Sequence, residues 1–389
     1  MLDKTEIAVM EQADDNIVLF TPFVSDESKK LVSETLNSRW IGQGPRVDEL
    51  ETTWKSLFNL TGEVVTVNSG TAALQLAYEL AGLNYGDEVV CPLFTCTATN
   101  IPLVQIGCDI KFYDVESQSL NGNFDTITSQ VTSKTKAIVI VHYGGSIIDL
   151  EKLSSFCENN SIVLIQDAAH ATGATFKGKD IASYGDYTMY SLQAIKTITA
   201  GDGGILVISD KNIEKLEEAK RRRWFGIDRQ KKQGGIWEND IVELGHKWQM
   251  SDITASIAVG NLLHCNTLIK RRREILDLYR ERLRTIKGIK NISGFEGLSD
   301  SGHGAWLQTV LVPDRRNLQL FLEAKSIETN QVHYRNDRYS IFSKFKVGGF
   351  YNMDKLEENY LVLPVHHKVS NMDIDRICDC ISEFYARQG

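Results

Sequence analysis

A chain of 389 residues is longer than one ordinary hydrophobic core fills, which sets the expectation of one large and one small domain. Apolar residues make up 42% and charged residues 24%, a composition that excludes disordered and fibrous chains. A net charge of −8 excludes a general nucleic-acid binder, and no apolar run reaches the ~20 residues that span a bilayer.

In chain order, the acidic segment 1–16 lacks the basic-then-apolar layout of a secretory leader, which predicts a cytoplasmic protein. EVVTV (63–67) is followed by a helical pattern over TAALQLAYELAG (71–82). The β-rich runs DEVVCPL (87–93), DIKFYDV (109–115), KAIVIVHY (136–143), SIVLIQDA (161–168), YTMYSL (187–192) and GGILVIS (203–209) come next, most of the earlier ones separated by helical stretches. This alternation predicts an α/β fold, a mostly parallel sheet with helices on both faces. A long helical pattern then runs from Ser251, its N-cap, to about Arg284. Beyond it, AWLQTVLV (305–312), a helix near 315–325, a strand near 329–334 and a terminal helix predict a smaller C-terminal α+β domain. The boundary is placed inside the long helix, giving a large domain 1–260 and a small domain 261–389. The cysteines Cys91, Cys96, Cys108, Cys157, Cys265, Cys378 and Cys380 are odd in number and lack C-x-x-C spacing. They predict reduced thiols and no metal site.

Open α/β sheets gather ligands at the C-terminal ends of their strands. Ser69, Gly70 and Thr71 follow the first β-run, Asp167 ends the fifth, and Ser191 and Lys196 follow the sixth. A lysine is ordinarily a solvated surface charge. Lys196, however, lies among Ala194, Ile195, Ile198 and Ala200, ahead of Gly201, Gly203 and Gly204. Burial there lowers its pKa and makes the amine a nucleophile suited to Schiff-base chemistry. Asp167 reads either as a helix cap or as a carboxylate that keeps an adjacent pyridine nitrogen protonated. His170 is an ordinary partly buried histidine or a hydrogen-bond partner for the phenolic oxygen of the same ring. NSGTAAL (68–74) gives a strand, a small-residue turn and a helix start. Its backbone N–H groups and hydroxyls can cradle an anion, with Ser191 adding a further hydroxyl. Ser-Gly-Thr is equally a routine way to begin a helix.

Together with RWIGQGPRVDELE (39–51), VNSGTAALQLA, CPLFTCTATNIPL, AIVIVHYGG, IQDAAHATGA, YSLQAIKTITAGDGG, GHKWQMSDITASIA and LPVHHKVS, these residues resemble a known family. It is the sugar aminotransferase family named after DegT, DnrJ, EryC1 and StrS, within the aspartate-aminotransferase-like (type I) pyridoxal 5'-phosphate fold. The resemblance covers nearly the whole chain. It implies pyridoxal phosphate held as a Schiff base by Lys196, with Asp167 on the pyridinium nitrogen and His170 bordering the ring. Gly70, Thr71, Ala72 and Ser191 would hold the phosphate. Two positions depart from the family pattern. Cys96 stands where an aromatic ring usually stacks on the cofactor, leaving Phe94 as the candidate replacement. Gln249 stands where an asparagine usually reaches the phosphate of the neighbouring subunit.

The resemblance further implies a cytoplasmic homodimer with shared sites and a ping-pong exchange with L-glutamate as donor. Lys196 acts in turn as nucleophile, general base and general acid. Most relatives aminate nucleotide-linked keto-deoxysugars. RRRWFGIDRQ (221–230), Cys96 and VHYRNDRY (332–339) look more like a subgroup acting on an unlinked sugar acid. That subgroup forms 8-amino-3,8-dideoxy-octulosonate from the 8-aldehyde of Kdo (3-deoxy-manno-octulosonate) for lipopolysaccharide. Arg335 and Arg229 are then candidate forks for the substrate carboxylate. Arg221 to Arg223 and Lys231–Lys232 read equally well as a solvated surface. Two alternatives share the scaffold: a dehydratase, which carries histidine at the Lys196 position, and a non-catalytic binding protein. The complete Lys196, Asp167 and Ser191 set argues against the second.

Overall fold

The computed structural model describes residues 16–229, 231, 234–235, 240–292, 301–346 and 348–387. Residues 1–15 of the acidic segment, Gln230 and Lys232 lie outside the described residues.

The seven β-runs become the seven strands of one sheet: β1 (Glu63–Val67), β2 (Glu88–Pro92), β3 (Asp109–Tyr113), β4 (Thr135–Val141), β5 (Val163–Asp167), β8 (Tyr187–Ser191) and β9 (Gly204–Ile208). Between β5 and β8 stands a small hairpin of β6 (Thr175–Phe176) and β7 (Lys179–Asp180). The strand order is β1-β9-β8-β5-β4-β2-β3. β9 runs antiparallel to both neighbours, and the other adjacent pairs are parallel. The connection from β8 to β9, which carries Lys196, contains no helix to support a parallel crossover.

The period of two along each strand divides the interior into two cores. Val65, Val67, Val89, Val139, Ile165 and Leu206 face the helix Gly70–Leu80. Val64, Val90, Ile138, Ile140, Leu164 and Val207 face the other way. There they meet the helices Pro45–Leu57, Leu150–Asn159 and Asp252–Leu262. Covered on both faces, the strands need apolar residues at nearly every position, which is why the runs show little polar alternation.

The single long helix expected from Ser251 is two helices, Asp252–Leu262 and Cys265–Leu283. The break follows Asn261, whose buried amide accepts from Ser25 N (2.9 Å) and donates to Phe23 O (3.0 Å) and Thr199 O (2.9 Å). No glycine or proline marks it in the sequence. We propose to keep the domain boundary at 260/261, at the end of the first of these helices. The C-terminal part pairs β10 (Lys290–Asn291), β11 (Gln308–Leu311) and β12 (Tyr360–Leu363) as an antiparallel sheet. The helices Cys265–Leu283, Arg315–Glu323 and Asn371–Ala386 pack on it through a third core. The strand expected near 329–334 is a single bridge from Asn330 to Val362. Past it the chain turns to the large domain, where Arg335 bridges Phe94 and Asn336 N donates to Leu93 O (2.8 Å). No helix among the described residues is long and apolar enough to cross a membrane.

Gly204 opens β9 where it passes the end of β1, and a Cβ there would lie 2.3 Å from the Ser69 carbonyl oxygen. Gly204→Ala therefore pushes two strand ends apart. It is expected to cost about 1–3 kcal/mol, read as a lower midpoint of urea unfolding. An unchanged midpoint would show that the turn yields freely.

Candidate active site

β5 and β8 are parallel neighbours, so Asp167 and the loop after Ser191 emerge at the same end of the sheet. The loop closes on itself, Lys196 N donating to Gln193 O (2.9 Å) and Ala200 N to Leu192 O (2.8 Å). The Lys196 Nζ rests 3.6 Å from the centre of the Trp306 ring. Burial lowers the Lys196 pKa to about 8, partly opposed by Asp167 and Cys96 and assisted by the Arg272 cation. At pH 7 about a tenth of such an amine is neutral, orders of magnitude more than for an ordinary lysine. Trp306 is fully buried, and its indole N–H donates to Ile195 O (3.0 Å), in the loop of the lysine it supports.

Asp167 is buried, with both carboxylate oxygens engaged. Oδ1 accepts from Ala169 N (3.0 Å) and Oδ2 from the Thr99 hydroxyl (2.6 Å). The Thr99 hydroxyl lies 2.8 Å from that of Thr95. Burial raises the Asp167 pKa, against the Thr99 and Ala169 hydrogen bonds and the Lys196 charge. No helix follows Asp167; the Ala169 bond closes a turn.

Ser69 caps the helix Gly70–Leu80, its hydroxyl accepting from Ala72 N (3.1 Å). The Ala72 amide therefore has a partner within the cap. Gly70 and Thr71 carry the amides that have no acceptor inside the first helical turn. Ser191 stands beside them, since a Cβ on Gly70 would lie 3.3 Å from its hydroxyl oxygen. The small turn is required by that approach.

His170 stacks on Trp306, ring centres 3.8 Å apart and planes at 25°. Its Nδ1 accepts from Gly144 N (3.2 Å), and its Nε2 lies 3.3 Å from Nε2 of His333. Both ring nitrogens have partners within the chain, and His170 stands beside the lysine as a stacked wall. Phe94 is buried in T-shaped contact with Tyr143 (5.0 Å) and Tyr360 (5.3 Å). Cys96 is half-buried at the start of the helix Thr97–Ile106, near enough to Lys196 to act on its charge.

Arg335 is withdrawn as a substrate fork. Its guanidinium is buried and bonded to both oxygens of Asp337 (2.7 and 2.9 Å), to Asp354 and to Glu357 (3.3 Å). No donor pair remains for a ligand. Arg229 lines a separate cleft of about 370 Å³ with Trp40, Gln43, Asp48, Arg223 and Trp224, and donates to Gln43 O. Lys196 is not among the lining residues of that cleft. Gln249 lies beside it, its amide oxygen accepting from Lys247 Nζ (2.6 Å) and Trp224 Nε1 (3.2 Å). Arg221, Arg222 and Arg223 are paired with Glu243, Glu218 and Glu51. Sequence reasoning missed Thr99, Trp306 and His333. Only Thr99 left a local trace, one helical turn after Thr95 behind β2.

The side chains around Lys196 match three features of one cofactor. The amine suits condensation with an aldehyde, the oriented carboxylate suits a ring nitrogen, and the helix start with its hydroxyls suits a phosphate. Fold and site together define the class of pyridoxal-phosphate-dependent aminotransferases with the type I fold.

The profile of the DegT/DnrJ/EryC1/StrS aminotransferase family matches residues 22–382, and the chain belongs to that family. It is 29% identical over 374 residues to GDP-perosamine synthase of Escherichia coli O157:H7, covering 95% of this chain and 99% of that protein. It is 29% identical over 380 residues to dTDP-4-dehydro-2,3,6-trideoxy-D-glucose 4-aminotransferase of Saccharopolyspora spinosa, covering 93% and 95%. The PLP form of a sugar aminotransferase, Spr1654 of Streptococcus pneumoniae, superimposes with a TM-score of 0.87 at 26% identity, covering 96% and 99% of the two chains. The protein is a pyridoxal-phosphate-dependent sugar aminotransferase, taking an amino donor and a sugar acceptor.

A lysine with a pKa near 8 reacts with aldehydes at a pH where surface lysines do not. In protein stripped of cofactor, reductive alkylation of Lys196 is expected to rise with a midpoint near pH 8, followed by peptide mass spectrometry. A midpoint near 10.4, the value of a free lysine, would contradict the dry environment.

Proposed function

We propose that Lys196 carries the cofactor and moves the proton of the exchange, that L-glutamate is the donor, and that the acceptor is the 8-aldehyde of Kdo. The product would be 8-amino-3,8-dideoxy-manno-octulosonate, made in the cytoplasm for lipopolysaccharide. The observation that carries the catalytic part is the Lys196 amine held against Trp306 at the end of β8, one strand from Asp167. When bound, pyridoxal phosphate supplies the aldehyde that takes up the amino group and a ring that withdraws electrons from the bond being broken. Lys196 Nζ, partly neutral near pH 7, takes a proton and later returns it. Asp167, its rotamer fixed by Thr99 and Ala169, would hold a negative charge at the ring nitrogen. The Gly70 and Thr71 amides and the Ser191 hydroxyl would bind the phosphate and so orient the ring. Trp306 and His170 exclude water on one side. A lysine at position 196, where the dehydratases carry histidine, favours transamination over that branch.

Two measurements test these roles. Borohydride is expected to fix the cofactor on the peptide containing Lys196 and on no other. Asp167→Asn is expected to keep its melting temperature within a few degrees while losing most turnover, because a neutral amide no longer favours a protonated ring nitrogen. Intact turnover would reduce Asp167 to a turn-former.

Arg229 lines a cleft to which Lys196 of the same chain does not contribute, which supports a homodimer in which Arg229 and Gln249 complete the neighbour's site. The same region exposes Phe225, Ile241, Val242 and Leu244, an apolar group suited to burial against a second copy. Sedimentation of the holoenzyme as a monomer that still turns over would exclude it.

For the acceptor, the sugar-acid reading rests on Arg229, since Arg335 is committed to carboxylates of its own domain. A nucleotide-linked keto-deoxysugar is the second reading, supported by the nucleotide-linked compounds named for two of the relatives. Arg229→Lys keeps the charge and loses the fork. It is expected to slow the sugar half-reaction at least tenfold and spare the glutamate half-reaction, read by single-turnover absorbance. A nucleotide-linked keto-sugar accepted far better than the octulosonate aldehyde would establish the second reading.

A further inference from the structure

His333 lies on the irregular segment that follows Asn330, and nothing above gives it a role. Its ring lies nearly parallel to that of His170, with centres 5.3 Å apart and planes at 17°. The Nε2 atoms of the two rings are 3.3 Å apart. The Nδ1 of His170 faces Gly144 N at 3.2 Å, and a backbone amide can only donate. Nδ1 must therefore present its lone pair, which places the proton of the neutral ring on Nε2. That N–H faces Nε2 of His333, so this atom must present a lone pair as well, and the proton of His333 sits on its Nδ1. A second proton on His170 would have to enter at Nδ1, where one donor would face another.

The acceptor is itself fixed in place. Tyr360 donates its hydroxyl to His333 O, and Tyr143 donates to Val332 O. Three residues further on, Asn336 N donates to Leu93 O (2.8 Å), and the Asn336 side-chain amide donates to Thr95 O (2.9 Å). The backbone on both sides of His333 is thereby tied to the other domain.

We infer that His333 is a positioning residue for the amino-transfer site: by accepting from Nε2–H of His170 it fixes the tautomer and plane of that ring, keeping it a neutral wall behind Trp306. Trp306 both stacks on His170 and supports Lys196 Nζ, so a turn of the His170 ring would disturb the indole that underlies the amine. The charged and titratable groups facing His170 are Lys196, His333 and His142, with the Tyr143 ring 5.9 Å away. Burial, and then each of the first three, disfavours a positive charge on it. Lys196 is left as the group of this cluster that changes charge near neutrality.

The test reads the ring nitrogens directly, in full-length holoenzyme labelled with nitrogen-15 at its eight histidines. The His170 signal is assigned by its loss in His170→Gln. His170 is expected to show an unprotonated Nδ1 and a protonated Nε2, unchanged across the pH range in which a free imidazole titrates. In His333→Ala that pattern is expected to become pH-dependent or averaged between tautomers. His333→Gln, whose amide oxygen can accept the same hydrogen bond, is expected to restore it. A purely structural loss would lower the melting temperature of both variants and leave the nitrogen signals alone. An imidazolium or an Nδ1–H tautomer at His170 in the unaltered enzyme would overturn the inference, whether or not the variants fold. So would a His333→Ala variant that keeps the unaltered pattern. The measurement needs neither donor nor acceptor, so its failure is distinct from failure of the acceptor assignment.

Discussion

The structure turns on keeping one amine dry. An ammonium in water is stabilised by hydration, and removal from water is the main cause that brings the Lys196 pKa down. Trp306 does this for Lys196 through a large apolar face, while its N–H holds the loop that carries the lysine. Removing water from an amine also removes it from every nearby polar group, so each of those must find a partner in the protein. The hydrogen bonds around Asp167 and His170 answer that demand. Asp167 takes a hydroxyl and a backbone amide, and His170 takes a backbone amide and a second imidazole.

The sheet makes the arrangement possible. Parallel strands bring successive loops to one end, and the antiparallel β9 returns the chain past the helix start at Gly70, beside Ser191. An aldehyde-reactive amine, a carboxylate and an anion cradle thus come from three separate stretches of sequence. None of the three is diagnostic alone, and their chemistry follows from the strand order that places them together.

That division also explains what the sequence disclosed. The large-domain strands were legible because each is an apolar run buried on both faces, a signal carried by five to seven adjacent residues. Lys196, Asp167 and Ser191 were legible because strand-end positions are countable along the chain. Thr99, Trp306 and His333 reach the site through contacts with residues far away in sequence, which no local pattern encodes. Arg335 shows the converse. The motif around it suggested a ligand fork, yet Asp337 stands two residues away and Asp354 and Glu357 arrive from a distant helix, so the guanidinium is saturated. The break after Asn261 was invisible for a similar reason, because it is set by tertiary bonds of one amide rather than by a glycine or proline.

The segment 92–100 joins these features mechanically. Asn100 donates to Pro92 O (2.8 Å) and to the Asn336 side-chain oxygen (2.9 Å), and Asn336 donates back to Thr95 O (2.9 Å). Within the same turn of helix, Thr99 holds Asp167. The Asp167 carboxylate and Asn336, three residues past His333, are therefore both bonded to one short segment. The N-terminal sheet and the segment around residue 336 thus meet through buried side-chain amides that fix register as well as contact. This gives Arg335 a structural purpose: its ion pairs hold Asp337, next to Asn336, and so brace that segment.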